Sequence, residues 1–263
     1  MEGMNDFFKA GKAESYSAIY QVNTPIPHIV IDGFLREDFA LKLYDHFPSP
    51  EQMKVHYHGL NEKKSEHSDF SSLDSAFTEL HAFLSSEPFR TWLSSLTTVP
   101  DLQTVNDRLG YGLHQGANNS FLDIHIDYNI HPVKKIYRKL NLILFLNKDW
   151  ESAWGGNLEL WDEKVETCVQ SISPVFNRCV IFECSEKSYH GYSRITVPEK
   201  ITRKSFYQYF FIEIPSHTEF HDTIFHPTPD QSLLKKGLTP IKEFLKNSVK
   251  KVLYRLRILK PLK

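Results

Sequence analysis

Apolar side chains recur with the two-residue period of β-strands through residues 103–214, in short runs separated by turn signals. Glycine and asparagine between the runs, as at 116–119 and 155–156, are typical of tight turns. Many short strands joined by turns favour an antiparallel barrel or jelly roll. The pattern therefore predicts an α+β protein with a mainly β core. The candidate strands are 104–115, 121–127, 140–146, 157–161, 179–183 and 203–214.

Helical spacing of apolar residues replaces the strand pattern on either side of this region. The predicted N-terminal elements are a short strand at 24–33 and helices at 35–47, 75–84 and 88–96. Residues 1–100 are thus expected to form a helical support for a β core at 101–215. The polar stretch 49–73 is expected to be a loop. An extension at 216–263 with an amphipathic helix completes what we expect to be one structural domain.

The distribution of charge limits the classes of partner. Ten basic residues and one acidic residue lie in 235–263, a net charge of +9, so that the other 234 residues carry −10 of the total of −1. An acidic body argues against a nucleic-acid partner. Three cysteines are too few for a disulfide framework, and the first residues lack an apolar signal segment. We therefore expect a cytoplasmic protein.

The segment 121–127 alternates strictly between apolar and polar residues, which places Asp123, His125 and Asp127 on one strand face. An imidazole and a carboxylate two residues apart can occupy adjacent corners of a metal octahedron. His190, which follows an apolar strand, is the candidate third ligand. Two histidines and one carboxylate form the facial triad of non-haem Fe(II) oxygenases.

A guanidinium and a hydroxyl lie on the last candidate strand. Arg203 and Ser205 share one strand face, from which they can clamp a carboxylate by charge-assisted hydrogen bonds. A zinc-dependent hydrolase would also use three protein ligands, but it does not need this pair. A non-catalytic jelly-roll binding protein is the other alternative. A second histidine cluster at 217–226 is bracketed by prolines, and we expect it to be structural.

Taken in order, these motifs resemble the Fe(II)/2-oxoglutarate-dependent dioxygenases, in their prolyl-4-hydroxylase-like branch. The resemblance covers most of residues 25–214 and implies a double-stranded β-helix, the jelly-roll or cupin-like fold. The matching segments are PHIVIDGFL at 27–35, HIDYN at 125–129, LNLILFLN at 140–147, WGGNLELWD at 154–162, FNRCVIFE at 176–183, SYHGY at 188–192 and RKSFYQYFF at 203–211.

The resemblance implies an enzyme that couples oxidative decarboxylation of 2-oxoglutarate to hydroxylation of a substrate C–H bond. Dioxygen is the other co-substrate, and ascorbate is an expected stimulant. The implied Fe(II) ligands are His125, Asp127 and His190. Arg203 is implied to pair with the distal carboxylate of 2-oxoglutarate, with Lys200 and Lys204 as rivals, although alternation turns Lys204 away from Ser205. The further implied co-substrate contacts are Ser205, Gln115 and Asn141.

The motifs leave the substrate open between a peptidyl residue and a sugar or lipid-linked glycan. A basic group at 134–139 would suit an anionic substrate, or it is a solvated surface loop. Thr239-Pro240 predicts a helix start, followed by an apolar stripe and many lysines up to about residue 260. This helix either docks on the acidic body or lies on the inner face of an anionic membrane as a peripheral contact.

Overall fold

A computed structural model describes residues 6–256, in which five helices surround one antiparallel sheet of twelve strands. The helices are α1 (Ala13–Val22), α2 (Glu37–Asp45), α3 (Ser75–Ser85), α4 (Glu87–Thr97) and α5 (Leu233–Arg255). The strands are β1 (His28–Asp32), β2 (Val55–His58), β3 (Glu62–His67), β4 (Tyr111–Gly116), β5 (Phe121–Ile126), β6 (Tyr137–Phe145), β7 (Leu158–Trp161), β8 (Cys168–Ile172), β9 (Arg178–Glu183), β10 (His190–Tyr192), β11 (Arg203–Ile212) and β12 (Ile224–Phe225).

Strands that are distant in sequence become neighbours in the curled sheet. Its order is β1-β9-β6-β11-β4-β3-β5-β10-β7-β8, with β2 paired to β3 and β12 paired to β5. Every strand pair is antiparallel. The predicted α+β class with a mainly β core is confirmed.

Helices α1–α4 cover the outer face of the layer that contains β1, β9, β6, β11 and β4. Buried apolar residues of these strands, such as Leu113, Leu142 and Phe206, join the same core as Phe89 and Leu93 of α4. The opposite side chains of these strands point between the two layers of the curled sheet, where a second apolar cluster lies. Two-residue alternation therefore separates a helix-facing side from an inner side that carries the functional groups.

Residues 49–73 do not form the expected loop. They contain the hairpin β2–β3, which is inserted between β4 and β5. Its side chains are mostly polar because they face solvent and an internal cleft, so the apolar alternation that marks a strand is missing. The predicted helical support at 1–100 thus contributes β2 and β3 to the sheet in addition to β1, which confirms the strand predicted at 24–33.

Helix α5 begins at Leu233, seven residues before the predicted first helical residue Pro240, because the Ser232 side chain accepts a hydrogen bond from the Lys235 backbone N–H at 3.3 Å. Pro240 therefore lies inside the helix. Residues 257–260 of the predicted segment fall outside the described residues. The helix docks on the body through its basic side chains. The ion pairs with the body are Lys235–Asp123, Lys246–Asp222, Lys250–Asp222 and Lys251–Glu219.

The apolar side of α5 faces solvent, which reverses the usual arrangement of an amphipathic helix. Leu233 is 87% exposed and Phe244 is 72% exposed. The other exposed apolar residues of this stripe are Leu234, Leu238, Ile241, Leu245, Val249, Val252 and Leu256. Within residues 6–256, no helix combines the length and the apolarity that a membrane crossing requires.

The contact between Lys235 and Asp123 is expected to hold the first turn of α5 in place. The Asp123 side chain is only 7% exposed, and its Oδ2 lies 2.6 Å from the Lys235 ammonium. Lys235→Ala leaves this buried carboxylate without its cation, so we expect the free energy of unfolding to fall by about 2 kcal/mol. Urea unfolding and amide hydrogen exchange of α5 measure the effect.

The matched control is Lys236→Ala, since the Lys236 ammonium bonds to the Pro229 carbonyl at the surface. Equal stability of the two variants would mean that the Lys235–Asp123 pair does not anchor the helix.

Candidate metal and co-substrate site

Pairing between β5 and β10 brings together the three residues of the predicted triad. His190 lies directly opposite His125 in the register, and their ring centroids are 4.4 Å apart. Asp127, just after the end of β5, lies with Oδ1 3.6 Å from the His125 Nε2 and with Oδ2 3.7 Å from the His190 Nε2. One ligand atom from each side chain lies within 4.8 Å of the others. Their role as iron ligands stays a prediction.

A glycine allows this close approach of β10 to β5. A Cβ atom at Gly191 would lie 2.5 Å from the Leu122 carbonyl oxygen, which is well inside contact distance. Any other residue would push the two strands apart. The glycine that follows His190 is therefore required by the packing that aligns the two histidines.

Backbone carbonyls fix the orientation of both imidazoles. The His125 Nδ1 lies 2.9 Å from the Asp123 carbonyl oxygen, and the His190 Nδ1 lies 2.9 Å from the Ser188 carbonyl oxygen. Because a carbonyl can only accept, each Nδ1 carries the proton and each Nε2 presents a lone pair towards Asp127. Burial lowers the pKa of His190 to about 4, which keeps this ring neutral near pH 7. Neutral imidazoles are what a metal ion needs.

A buried arginine balances the carboxylate of the triad. The Arg138 Nη1 lies 2.8 Å from the Asp127 Oδ2, and its side chain is only 1% exposed. Its guanidinium lies between the Tyr128 and Tyr209 rings, 3.5 and 3.7 Å from their centroids. Although burial would raise the pKa of Asp127, the Arg138 charge holds it well below the usual range. Asp127 is therefore ionised and held in one orientation.

Sequence alternation misplaces two residues because the strands contain bulges. The β6–β11 register slips by one residue between Leu140 and Arg138. Unbroken alternation would place Arg138 on the helix-facing side with Leu140, but the slip makes it face the cleft. In the sequence analysis, Arg138 belongs to the basic group at 134–139. A second slip, in the β5–β10 pairing, turns Asp123 away from His125 and towards α5. The only sequence signal for Arg138 was a charge at the edge of an apolar run.

Arg203 is a buried cation close to the triad. Its Nε donates to the Gly156 carbonyl at 2.7 Å, and its guanidinium lies 4.2 Å from the centroid of the Tyr192 ring, two residues beyond His190. Within residues 6–256, no acidic side chain lies within 4.0 Å of it. Burial lowers the pKa of Arg203 to about 10, which leaves it charged at pH 7. A buried charge without a counterion fits an anionic ligand.

The position of Gln115 corrects one prediction. In the β11–β4 register Gln115 lies opposite Lys204, and the two side chains share the face that points away from Arg203. The Gln115 amide donates to the Pro48 carbonyl at 3.2 Å and to the Thr202 hydroxyl at 3.1 Å. Gln115 is therefore a buried structural residue on the helix-facing side. The expected outward orientation of Lys204 agrees with this register.

The structure does bring Ser205 and Asn141 to the inner side. Ser205 is buried on the same face of β11 as Arg203. Asn141 lies with its Nδ2 3.5 Å from the Asp127 Oδ2, and its buried Oδ1 has no partner among the described residues. Such an orphaned acceptor suits a water or a ligand group beside the metal position. With the oriented imidazoles and the unpaired Arg203, it makes the site fit Fe(II) and 2-oxoglutarate.

The second histidine cluster does not assemble. In the part of the chain that the structure describes, the triad is the only group of histidine, cysteine and acidic residues with metal-binding geometry. His221 instead lies 2.8 Å from the Glu186 carboxylate. This agrees with the structural role expected for residues 217–226.

Comparisons with known proteins support this geometry. Residues 111–211 match the family model of the 2OG-Fe(II) oxygenase superfamily, a span that contains all three triad residues and Arg203. The chain is 27% identical over 208 residues to the mouse prolyl 3-hydroxylase OGFOD1. The aligned region covers 75% of this chain and 35% of the relative. It thus spans about a third of the length of the curated relatives it matches.

Solved structures share the fold. A prolyl-4-hydroxylase from Pseudomonas putida superposes with a TM-score of 0.53 at 14% identity, over 76% of this chain and all of that one. A prolyl hydroxylase from Trichoplax adhaerens, solved with a hypoxia-inducible-factor peptide, gives a TM-score of 0.52 at 16% identity, over 76% and 88% of the two chains. The predicted double-stranded β-helix is confirmed.

Removal of a triad histidine should strongly weaken metal binding. We expect His125→Ala and His190→Ala to weaken Fe(II) binding under anaerobic conditions by roughly 100-fold or more, because each variant removes a ligand outright. Titration calorimetry measures the affinity. His125→Ala is a sharper test than Asp127→Ala, since some sites of this kind tolerate loss of the carboxylate.

His56→Ala is the control for this experiment, because His56 is an exposed residue of β2. Wild-type affinity in His125→Ala would contradict the assignment of the triad.

Proposed function

We propose that the chain is an Fe(II)/2-oxoglutarate-dependent oxygenase of the prolyl-4-hydroxylase-like branch and that it hydroxylates a prolyl residue of a polypeptide. The observation that carries the proposal is the pairing of an oriented two-histidine, one-carboxylate triad with a buried arginine that lacks a counterion. Because the similar proteins are prolyl hydroxylases, one of them solved with a bound peptide, we favour a peptidyl substrate over a sugar or a lipid-linked glycan. Succinate formation with added Fe(II), together with a mass increase of one oxygen in the peptide, tests the activity.

When bound, Fe(II) would supply the chemistry by which O₂ and 2-oxoglutarate become succinate, CO₂ and a new hydroxyl group on the substrate. The protein's own contribution is binding and orientation. His125, Asp127 and His190 would hold the metal on one side and leave the remaining positions open for 2-oxoglutarate and dioxygen. Arg203 would pair with the distal carboxylate of 2-oxoglutarate, and Arg138 keeps the triad carboxylate ionised and in place.

The two other functional classes are not favoured. A zinc-dependent hydrolase gives no reason for a buried, unpaired Arg203 next to the triad. A non-catalytic jelly-roll protein gives no reason for two imidazoles whose Nδ1 protons are fixed so that both lone pairs converge.

We also propose that the enzyme is cytoplasmic, with a peripheral contact between α5 and the inner face of a membrane. Cys179 and Cys184 are buried free thiols, which suits a reducing compartment. On α5, the stripe of exposed apolar residues from Leu233 to Leu256 is flanked by basic side chains, and the acid of this helix, Glu243, is buried. An apolar strip with basic borders and no exposed acid complements an anionic lipid surface.

Arg203→Ala should raise the KM for 2-oxoglutarate by about tenfold or more, because a charge-assisted pair contributes about 1.5–3 kcal/mol. Lys204→Ala is the matched control. Its ammonium lies 4.3 Å from the centroid of the Tyr44 ring on the opposite face of β11, so the KM should change little. Steady-state succinate formation at varied 2-oxoglutarate measures both values. An exchange of the two effects would place the wrong face of β11 in the cleft.

The membrane contact predicts co-sedimentation with phosphatidylglycerol vesicles at low salt, and weaker binding at high salt. The double variant Phe244→Ser with Leu245→Ser should lose this binding, because both side chains lie on the exposed stripe. Ile19→Ser, which changes an exposed apolar residue of α1, should bind as the wild type does. A wild-type protein that stays in the supernatant at low salt would exclude the contact.

A further inference from the structure

His125 and Asp127 of the triad line a cleft of about 440 Å³ whose walls are rich in cations. Helix α5 forms one wall and the β2–β3 hairpin forms another. Apart from Arg138, which is bound to Asp127, the basic residues that line the cleft are Lys64, Arg108, Lys242, Lys246 and Lys250, against the acids Glu62, Glu66 and Asp222. The first 234 residues of the chain carry a net charge of −10, yet this cleft is lined by several cations. A cleft of this kind attracts an anionic ligand group.

Most of these charges are already matched inside the protein. Lys250 lies 2.7 Å from the Asp222 carboxylate, and Lys64 lies 3.8 Å from Glu62. The Glu66 carboxylate accepts hydrogen bonds from two tyrosine hydroxyls, those of Tyr207 at 2.9 Å and Tyr57 at 3.2 Å. The acids of the cleft thus already have partners within the protein, and a positively charged substrate group would find no free carboxylate among them.

Lys242 is a cation of α5 whose nearby carboxylate, that of the buried Glu243, is shared with Lys246. Its ammonium donates to the Asn61 Oδ1 at 2.9 Å, while Glu243, at 3.6 Å, lies closer to Lys246. It lies 5.3 Å from the centroid of the Phe225 ring, and that ring is 5.4 Å from the His125 ring. With a side chain that is 44% exposed, Lys242 can reach a ligand that enters towards the triad.

Arg108 is a second cation of the cleft that lacks a carboxylate of its own. It is partly buried in the turn that precedes β4, and within residues 6–256 no acidic side chain lies within 4.0 Å of it. Both Arg108 and Lys242 line the cleft that holds His125 and Asp127. Two partly desolvated cations beside one reaction site can fix the position of carboxylates on a bound chain.

We propose that the polypeptide substrate is acidic, and that Lys242 and Arg108 pair with aspartate or glutamate side chains on either side of the hydroxylated residue. The inference rests on the proposed peptidyl hydroxylation and names the sequence class that this site accepts. Lys242 and Arg108 are then specificity-determining residues. The basic loop at 134–139, which the sequence had suggested for an anionic substrate, is not among the cations that line the cleft, except for Arg138.

The probes are three short fluorescent peptides that contain one central proline flanked by glutamate, glutamine or lysine. Anisotropy in the presence of Mn(II) and 2-oxoglutarate measures binding, and mass spectrometry after incubation with Fe(II) measures hydroxylation. We expect the glutamate peptide to bind roughly tenfold more tightly than the glutamine peptide, with the lysine peptide weakest and the preference falling as salt is added.

Lys242→Gln and Arg108→Gln should each reduce the preference for glutamate over glutamine by roughly threefold. The double variant Lys242→Glu with Arg108→Glu should favour the lysine peptide, a reversal that misfolding cannot produce. Lys251→Gln is the control, because Lys251 pairs with Glu219 and does not line the cleft.

Hydroxylation of all three peptides without a charge preference would overturn this inference and leave the proposed function standing. A glutamate preference that survives in the double variant would also overturn it, since the carboxylates would then bind elsewhere. Failure to hydroxylate any peptide, with no succinate formed, would instead count against the proposed function.

Discussion

Antiparallel pairing between β5 and β10 is the constraint on which the site depends. It sets His190 directly opposite His125, and Gly191 permits the close backbone contact that this register needs. Backbone carbonyls of Asp123 and Ser188 orient both imidazoles. The strand pairing that brings the two histidines together is therefore accompanied by a fixed orientation of each ring. Because the two histidines are 65 residues apart in the chain, only closure of the sheet into two layers can join them.

The buried arginines have different tasks that follow from their partners. Arg138 lies against the Asp127 carboxylate and is enclosed by two tyrosine rings, so its charge is neutralised by the triad carboxylate that it holds in place. Arg203 bonds only to a neutral carbonyl among the described residues, so its charge is available to a bound anion. A buried charge is stable only when it is paired, and the contrast therefore separates a structural cation from one that awaits a ligand.

Helix α5 unites the catalytic cleft with the outer surface. Its lysines face the body, where they meet acids of the sheet and line the cleft, and its apolar side chains face solvent. The orientation of the helix follows from charge, because the acidic body provides carboxylates that pair with the lysines of α5. One helix thereby carries both Lys242, beside the proposed substrate path, and the exposed stripe proposed to meet a lipid surface.

The sequence by itself determined those features that depend on local periodicity. The strand period of two placed His125 with Asp127, and it separated Arg203 and Ser205 from Lys204. The motif order indicated the family and its double-stranded β-helix. Only the tertiary structure decided the role of Arg138 and the outward turn of Gln115. A bulge or a strand register arises from which strands become neighbours, and this information is not contained in any single segment. The hairpin at 55–67 escaped prediction for the same reason, since polar side chains reveal their partners only after the chain has closed around them. For α5 the sequence left docking on the body and contact with a membrane open, and the structure pairs its lysines with acids of the body.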